Sequence, residues 1–344
     1  MMDLNYEMIG VTVLWTFLYG YIIVAAIDFG AGFFNYYAIQ TGQHRKVSHI
    51  IQRYLSPVWE VTNVFFVFFF VGIVGFYPDT AYYFGTTLLI PGSIALILLA
   101  IRGSYYAFNS SATKPRKSWA FLYGVTGLLI PASLSVVLVI SEGGYIYGDG
   151  DGVQLDIMEL LLSSYAWTVV FLAIILVLYI SSGFLTYYAA KAKNESAMET
   201  FRGWFLIWTL PMLVISQFTF LSLREHNQEH FLAAQDYWYL FGLSLLSMII
   251  AVFLIWRKRN FGLAFIMIML QFGFAFYGYG ISKLPYILYP YIDINTSVVN
   301  EAMAFSLTIA FVLGLLLLIP SIILLLRLFI FNTDYVEGRN EEGY

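Results

Sequence analysis

The sequence predicts an all-α, polytopic membrane protein with nine transmembrane helices. The composition, the length of the apolar runs and the placement of Lys and Arg all lead to this fold class. Of the 344 residues, 60% are hydrophobic and only 11% are charged. Soluble domains are about 45–50% apolar and about 25% charged, so lipid must cover the excess apolar surface. This composition excludes a soluble enzyme, a nucleic-acid-binding protein and a disordered chain.

Nine apolar runs are long enough for a helix to cross a hydrocarbon layer of ~30 Å, which takes about 20 residues. Continuous runs of this length are typical of helices rather than barrel strands. Seven of the runs contain no Asp, Glu, Lys or Arg, whereas the first contains Asp28 and the second contains Glu60. The nine runs are 8–36, 57–77, 82–101, 118–140, 160–189, 204–223, 237–256, 261–282 and 302–326.

The placement of Lys and Arg predicts the orientation of these helices. Every Lys and Arg except Arg224 and Lys283 falls in alternate connections or in the C-terminal tail, on one side of the membrane. Positively charged loops face the cytoplasm, so we expect the N-terminus outside and the C-terminus inside. The outer connections hold most of the acids, among them Glu142, Asp156 and Glu159.

The longest outer connection, 141–159, divides the chain into two groups of four helices and one further helix. We therefore predict a first four-helix bundle over 1–140, a second over 141–282, and a peripheral ninth helix with a cytoplasmic tail over 283–344. The Gly-Asp repeat at 148–152 is interpreted as a solvated turn, because its spacing does not fit an EF-hand calcium loop.

Composition also limits the metal and haem chemistry of this chain. The absence of cysteine excludes disulfides, thiolate catalysis and iron–sulfur ligation. His44, His49, His226 and His230 all lie between the apolar runs. His226 and His230 are four residues apart, a spacing that suits zinc, but no third ligand is clearly placed beside them. Methionines within the runs indicate core packing rather than haem ligation. We expect no metal site, and no haem bound by this chain.

Two carboxylic acids inside apolar runs are the candidate functional residues. Because a charged group costs about 3 kcal/mol at the centre of a membrane helix, Asp28 and Glu60 are functional candidates by default. Burial favours the neutral acid, which could then take up and release a proton near neutral pH. At 1.5 Å per residue, Asp28 lies deep in an inward-running helix and Glu60 in the first turn of the next. Both then lie toward the cytoplasm, with Asn63 on the face of Glu60.

Two other interpretations of these acids remain open. The chain could be a proton-coupled secondary transporter, with Pro91 and Pro131 breaking helices in its first half. The second half, however, has no buried charge to match Asp28. The acids could also simply tie helices together, with Glu60 near a helix N-terminus after Pro57 and favoured there by the helix dipole.

Three motifs resemble subunit II of the cytochrome bd quinol oxidases. Residues 25–32, AAIDFGAG, resemble the motif of that family's first helix. Residues 56–65, SPVWEVTNVF, resemble its P-x-W-[DE]-x-x-[NQ]-V-[WF] motif, and Tyr77-Pro78 follow as they do in the family. Residues 98–103, LLAIRG, are similar to the end of its third helix, where an arginine is usual. The motifs lie in the first third of the chain, while length and predicted topology match throughout.

This resemblance implies a heterodimer in the cell membrane of a bacterium or an archaeon. Subunit I would carry haems b and d and the quinol site, and the complex would reduce oxygen to water with cytoplasmic protons. A small single-helix accessory subunit and a bound quinone are further expectations. No catalytic residue is expected on this chain.

In the family, carboxylates at the positions of Asp28 and Glu60 are associated with a proton route, to which Asn63 would contribute. Arg102 is a candidate structural and charge partner. The family often has a further acid three residues before the position of Asp28, where this chain has Ala25. The resemblance therefore implies a proton route in this chain that uses a different set of residues.

Overall fold

The computed structural model describes residues 6–109, 117–148, 152–297, 299–325 and 327. These residues are almost entirely helical, with two short antiparallel hairpins that the sequence did not predict. The first part of the chain comprises α1 (Tyr6–Gln40), α2 (His44–Phe76), α3 (Asp79–Thr87), α4 (Leu89–Asn109), α5 (Lys117–Ser141), β1 (Ile146–Tyr147), β2 (Gln154–Leu155) and α6 (Ile157–Leu162). The second part comprises α7 (Ser164–Lys191), α8 (Glu195–His226), α9 (Gln228–Asp236), α10 (Trp238–Trp256), α11 (Phe261–Lys283), β3 (Tyr286–Leu288), β4 (Ile292–Asp293), α12 (Ile294–Ser297) and α13 (Glu301–Leu325).

Seven of the described helices are long and apolar enough to cross a membrane, namely α1, α5, α7, α8, α10, α11 and α13. The bent pair α3 and α4 would make eight if it forms one span. The described apolar part of α2, Val64–Phe76, is shorter. The chain is therefore an all-α, multi-pass membrane protein. Each predicted apolar run falls on one helix, except the third, which falls on the bent pair, and the fifth, which begins in α6 and continues in α7.

The second helix begins well before the predicted start of its apolar run. We expected a loop up to residue 56, but α2 starts at His44 and continues through Pro57. The side chains of Val47, Ile50 and Ile51 are fully buried and join the main core. Their spacing of three and four residues is that of one helix face, so burial of this face extends the helix. The prediction that Glu60 lies in a first helical turn is therefore wrong.

A bend of 77° separates α3 from α4. Pro91 lies in the first turn of α4, where its missing N–H breaks no intrahelical hydrogen bond. Pro131 lies in the interior of α5, which nevertheless runs unbroken over 25 residues. Of the two prolines that suggested broken helices, one accompanies a break at a helix end and the other accompanies no break.

The two halves of the chain meet where α1 crosses α7. A Cβ on Gly30 would come 2.4 Å from the Cβ of Ser181, so only glycine permits this approach. The Ser181 hydroxyl donates a hydrogen bond of 3.0 Å to the carbonyl oxygen of Ile27. Helices α2, α5 and α11 pack around α1, and α5, α8 and α11 pack around α7. The crossing therefore lies at the centre of the molecule.

The two ends of the helices differ in structure. One end, here called the hairpin end, carries the β1–β2 and β3–β4 hairpins, α3, α6 and α9. Its connections are closed by a small apolar cluster of Ile140, Ile146, Val153, Leu288 and Ile292. The opposite end has tight turns between α1 and α2, between α7 and α8, and between α10 and α11. It is called the basic end, because the Lys and Arg residues of the predicted inner connections lie there. Helix α13 packs beside α1 and α2, where Phe311 contacts Phe17 and Phe76.

Candidate functional site

A buried ion pair joins Asp28 of α1 to Arg102 of α4. Both residues are completely inaccessible to solvent, and Arg102 Nη2 lies 3.0 Å from Asp28 Oδ2. Arg102 Nε donates to the same oxygen at 3.1 Å, and Nη2 also donates to the Asp28 main-chain carbonyl at 2.7 Å. Charge and hydrogen bonds reinforce each other here, which is the arrangement that makes a buried pair stable.

Tyr123 of α5 completes this site from the other side. Its hydroxyl donates a hydrogen bond of 3.0 Å to Asp28 Oδ1, and its main-chain carbonyl accepts one of 2.9 Å from Arg102 Nη1. The Arg102 guanidinium also lies 3.8 Å from the centre of the Tyr123 ring, within the range of a cation–π contact. One tyrosine therefore contacts both members of the ion pair, and three helices converge on it.

Two glycines leave the space that the arginine occupies. A Cβ on Gly32 would come 2.8 Å from the Tyr123 ring and 3.1 Å from Arg102 Nη1. A Cβ on Gly127 would come 2.4 Å from the carbonyl oxygen of Phe29 and 3.3 Å from Arg102 Nη1. Close approach of α1 to α5 thus depends on both positions. The sequence motif around Asp28 ends in Gly32 for a steric reason.

The site lies in the half of the helices nearer the basic end. Asp28 precedes the end of α1 at Gln40 by twelve residues, a distance of about 18 Å along the helix. The carboxylate of Asp28 is bonded to a guanidinium, a partner that burial of the apolar run alone did not indicate.

Glu60 and Asn63 belong to α2, but their side chains lie outside the described part of the structure. Glu60 stands sixteen residues after the start of α2 at His44, within the helix and not at its N-terminus. The helix-dipole interpretation of Glu60 therefore loses its basis, since that effect falls off within the first turn.

A second buried charged cluster, at the hairpin end, was missed by sequence reasoning. Glu142 follows α5, His230 lies in α9 and Lys283 ends α11, and all three are buried. Lys283 Nζ lies 3.3 Å from Glu142 Oε1, and His230 Nδ1 lies 2.9 Å from Oε2. The Tyr279 hydroxyl donates to Oε1, and Lys283 also donates to the Ser141 hydroxyl. This cluster joins three elements around one carboxylate.

The surroundings of Glu142 keep it ionised. Burial alone would raise the pKa of its carboxyl group, because the charged form loses its hydration. The opposite charge of Lys283 and the hydrogen bonds from His230 and Tyr279 outweigh that effect and lower the pKa to about 2. Glu142 is therefore a fixed anion, unsuited to exchanging protons at neutral pH. A signal was present in the sequence, since Arg224 and Lys283 are the only Lys and Arg residues that fall outside the predicted inner connections and tail.

The two histidines of the hairpin end are held separately. His226 lies between the rings of Tyr145 and Tyr165, at 4.8 Å and 5.0 Å between centroids, and its Nε2 lies 3.0 Å from the Gly143 carbonyl. His230 Nε2 lies 3.0 Å from the Ser282 hydroxyl, opposite its contact with Glu142. Ring nitrogens engaged in this way do not fit axial ligation of a haem.

Within the described part of the chain, no three His, Cys, Asp or Glu side chains converge as a metal ion would require. The zinc alternative for His226 and His230 thus has no third ligand there. The Gly-Asp repeat interpreted as a solvated turn includes residues 149–151, which lie outside the described residues.

Comparisons with known proteins extend over nearly the whole chain. The family model described as cytochrome bd terminal oxidase subunit II matches residues 6–329. A protein of Bacillus subtilis (strain 168), named as a cytochrome bd menaquinol oxidase subunit II, is 30% identical over 343 residues. That match covers 97% of this chain and 98% of the relative. A chain in the structure of bd oxidase from Geobacillus thermodenitrificans is 52% identical, with a TM-score of 0.84, and the match covers 96% of this chain and 100% of that one.

Proposed function

The chain belongs to the family of cytochrome bd terminal oxidase subunit II, and from this premise we propose that it is the haem-free subunit of its complex. It is a subunit of a bd-type quinol oxidase and a multi-pass bacterial membrane protein. We assign the haems, and with them quinol oxidation and oxygen reduction, to the partner subunit I. The bonded ring nitrogens of His226 and His230 support this assignment. Because the Bacillus subtilis relative is named for menaquinol, we propose menaquinol as the electron donor of the complex.

For the topology, we propose nine spans with the N-terminus outside and the C-terminus inside. Under this proposal α2 crosses the membrane through its apolar C-terminal part, and α4 crosses alone. With 21 residues, α4 is about 31 Å long, enough for the hydrocarbon layer without α3. The clustering of Lys and Arg at the basic end supports its assignment to the cytoplasm. The division into bundles at 1–140 and 141–282, with 283–344 as a peripheral helix and tail, is part of this proposal.

We further propose that Asp28, Glu60 and Asn63 carry cytoplasmic protons toward the partner subunit. The position of Asp28, fully buried in the half of α1 nearer the basic end, is the observation that carries this proposal. The two carboxylate oxygens have different partners, since Oδ2 is held by Arg102 while Oδ1 accepts from Tyr123. Proton exchange at Oδ1 would therefore leave the Arg102 hydrogen bonds at Oδ2 in place.

Two observations weigh against the proton-coupled transporter. Transporter sites lie near the membrane midplane, between broken helices of two matched halves. Here the break between α3 and α4 lies at the hairpin end, and α5 continues unbroken through Pro131. The structural alternative, in which Asp28 only holds helices together, has more support than the transporter, because two nitrogens of Arg102 donate to the carboxylate.

A charge-neutral double variant separates the proton route from the structural tie. Asp28→Asn alone removes the carboxylate that pairs with the buried guanidinium of Arg102, and breaking a buried pair destabilises by about 3–5 kcal/mol. Asp28→Asn with Arg102→Gln removes both charges together. In the purified complex we expect the double variant to recover haem content but not oxygen consumption. If haem content and oxygen consumption both recovered, the pair of Asp28 and Arg102 would have only a structural role, and the proton-route proposal would be overturned.

Glu60→Gln tests the second acid of the route in the same complex. We expect slower oxygen consumption at unchanged haem content. Glu225→Gln is a matched control, because Glu225 is an exposed glutamate at the hairpin end. Equal turnover in the Glu60 variant, the control and the unmodified complex would exclude Glu60 from the route. A complex purified without any haem-bearing partner would contradict the subunit assignment itself.

A further inference from the structure

The helix α10 presents a continuous apolar surface from one end to the other. Large exposed side chains recur along its length, at Trp238, Leu246, Ile249, Phe253 and Trp256. Within the described structure, α10 packs against α8 and α11 on its other side. A one-sided apolar surface on a membrane-spanning helix is a surface for lipid acyl chains.

Two tryptophans mark the ends of this surface. Trp238 is 72% exposed and Trp256 is 59% exposed. Their 18-residue separation corresponds to about 27 Å along a helix, close to the ~30 Å thickness of the hydrocarbon layer. Tryptophan is enriched at both membrane–water interfaces, where its ring lies at the level of the lipid headgroups. Trp256 therefore places the headgroup level of one leaflet at the basic end of α10.

Arg257 and Arg259 lie directly beyond that level, in an ordered turn. The amide of Arg259 donates to the Leu254 carbonyl at 3.0 Å, and the amide of Lys258 donates to the Ile255 carbonyl at 3.2 Å. With Lys258 at φ 56°, these bonds form a Schellman motif, although the left-handed position usually holds glycine. The backbone of the turn is therefore ordered, and it fixes the position of Arg257 and Arg259 relative to the end of α10.

The side chains of the turn have different partners. Lys258 pairs with Glu199 of α8. The guanidinium of Arg257 instead lies 5.4 Å from the ring centre of Phe253 and 5.6 Å from that of Trp256, so it folds back toward the apolar surface. Arg257 and Arg259 are exposed, and neither forms an ion pair with a carboxylate among the residues that the structure describes.

We propose that Arg257 and Arg259 bind the phosphate of an anionic phospholipid whose acyl chains lie along α10. Guanidinium groups match phosphate oxygens through paired N–H donors, and Arg257 is already held at headgroup depth by two aromatic rings. Net positive charge at this position favours an anionic lipid over a zwitterionic one. This site is independent of the proton route, since no residue is shared between them.

The test measures lipid selectivity of the purified two-subunit complex in nanodiscs. Spin-labelled phosphatidylglycerol and phosphatidylcholine with the same acyl chains are compared, so only the headgroup differs. We expect the complex to prefer phosphatidylglycerol. Each cation near an anionic surface contributes ~1 kcal/mol, so Arg257→Gln or Arg259→Gln should lower that preference about fivefold.

Arg224→Gln is the matched control. Arg224 is also an exposed arginine near an aromatic ring, at 5.9 Å from Phe231, but it lies at the hairpin end. We expect this variant to keep the preference of the unmodified complex. Equal binding of both lipids, or an equal effect of all three substitutions, would overturn the proposal. Loss of the partner subunit from the Arg257 or Arg259 variant would also overturn it, by assigning these arginines to a protein interface.

Discussion

Gly127 of α5 contacts Phe29 of α1 so closely that a Cβ on the glycine would lie 2.4 Å from the Phe29 carbonyl oxygen. Because that oxygen is main chain, it cannot move aside as a flexible side chain could. Gly127→Ala should therefore push α1 away from α5 and disturb Arg102, whose Nη1 lies 3.3 Å from the same Cβ. We expect a loss of about 1–3 kcal/mol, measured by thermal unfolding of the purified complex.

The control for this prediction is Gly203→Ala. Gly203 lies in α8, and a Cβ there would have no heavy atom within 4 Å. Alanine in an open helical position favours the helix by about 0.5–1 kcal/mol relative to glycine. The two substitutions should thus shift the unfolding temperature in opposite directions. Equal shifts would mean that the contact between α1 and α5 is not decisive.

Tyr123→Phe removes the hydroxyl that bonds Asp28 Oδ1 but keeps the main-chain carbonyl that accepts from Arg102. Loss of one donor to a buried carboxylate should destabilise the site by about 1–3 kcal/mol. If Oδ1 exchanges protons as proposed, oxygen consumption should also fall while haem content stays constant. Tyr239→Phe, at an exposed tyrosine of α10, is the control and should change neither quantity.

Glu142→Gln tests whether the cluster at the hairpin end stabilises the fold. The substitution keeps the shape of the side chain but leaves Lys283 without its carboxylate in a buried position. Breaking a buried pair in this way destabilises by about 3–5 kcal/mol, so chemical or thermal unfolding should occur much earlier. Glu225→Gln, at an exposed glutamate, should leave the unfolding midpoint unchanged. A similarly small effect at Glu142 would contradict a stabilising role.

Apolar runs predicted the position of every long helix because a membrane span is determined by local composition. They missed only the first part of α2, where charges and Pro57 suggested a loop although the helix already begins at His44. The relevant signal was the helical spacing of Val47, Ile50 and Ile51, whose burial only the folded chain reveals. The bend before α4 was indicated only through Pro91, which lies three residues beyond the break at Leu88.

The two buried sites also differ in how much of them the sequence predicted. Asp28 was recognisable from the sequence because an ionisable residue within an apolar run is costly in a membrane and therefore indicates a functional role. Its geometry with Arg102 joins residues 74 positions apart, which a local pattern cannot reveal. The cluster around Glu142 was harder to predict, because Glu142, His230 and Lys283 each lie at the end of an element. Residues at helix ends resemble solvated loop residues until tertiary packing buries them.

Acid stability offers the last test, since the pKa of Glu142 is about 2 in the folded protein and 4.5 is its ordinary value. Between these values the unfolded chain binds a proton that the folded chain does not, so stability rises with pH. The contribution of Glu142 is complete above about pH 4.5 and is lost as the pH falls toward about 2. Unfolding midpoints measured from pH 6 to pH 3 should therefore fall less in Glu142→Gln than in the unmodified complex. Parallel curves would show that the carboxylate of Glu142 is not held ionised by Lys283 and His230.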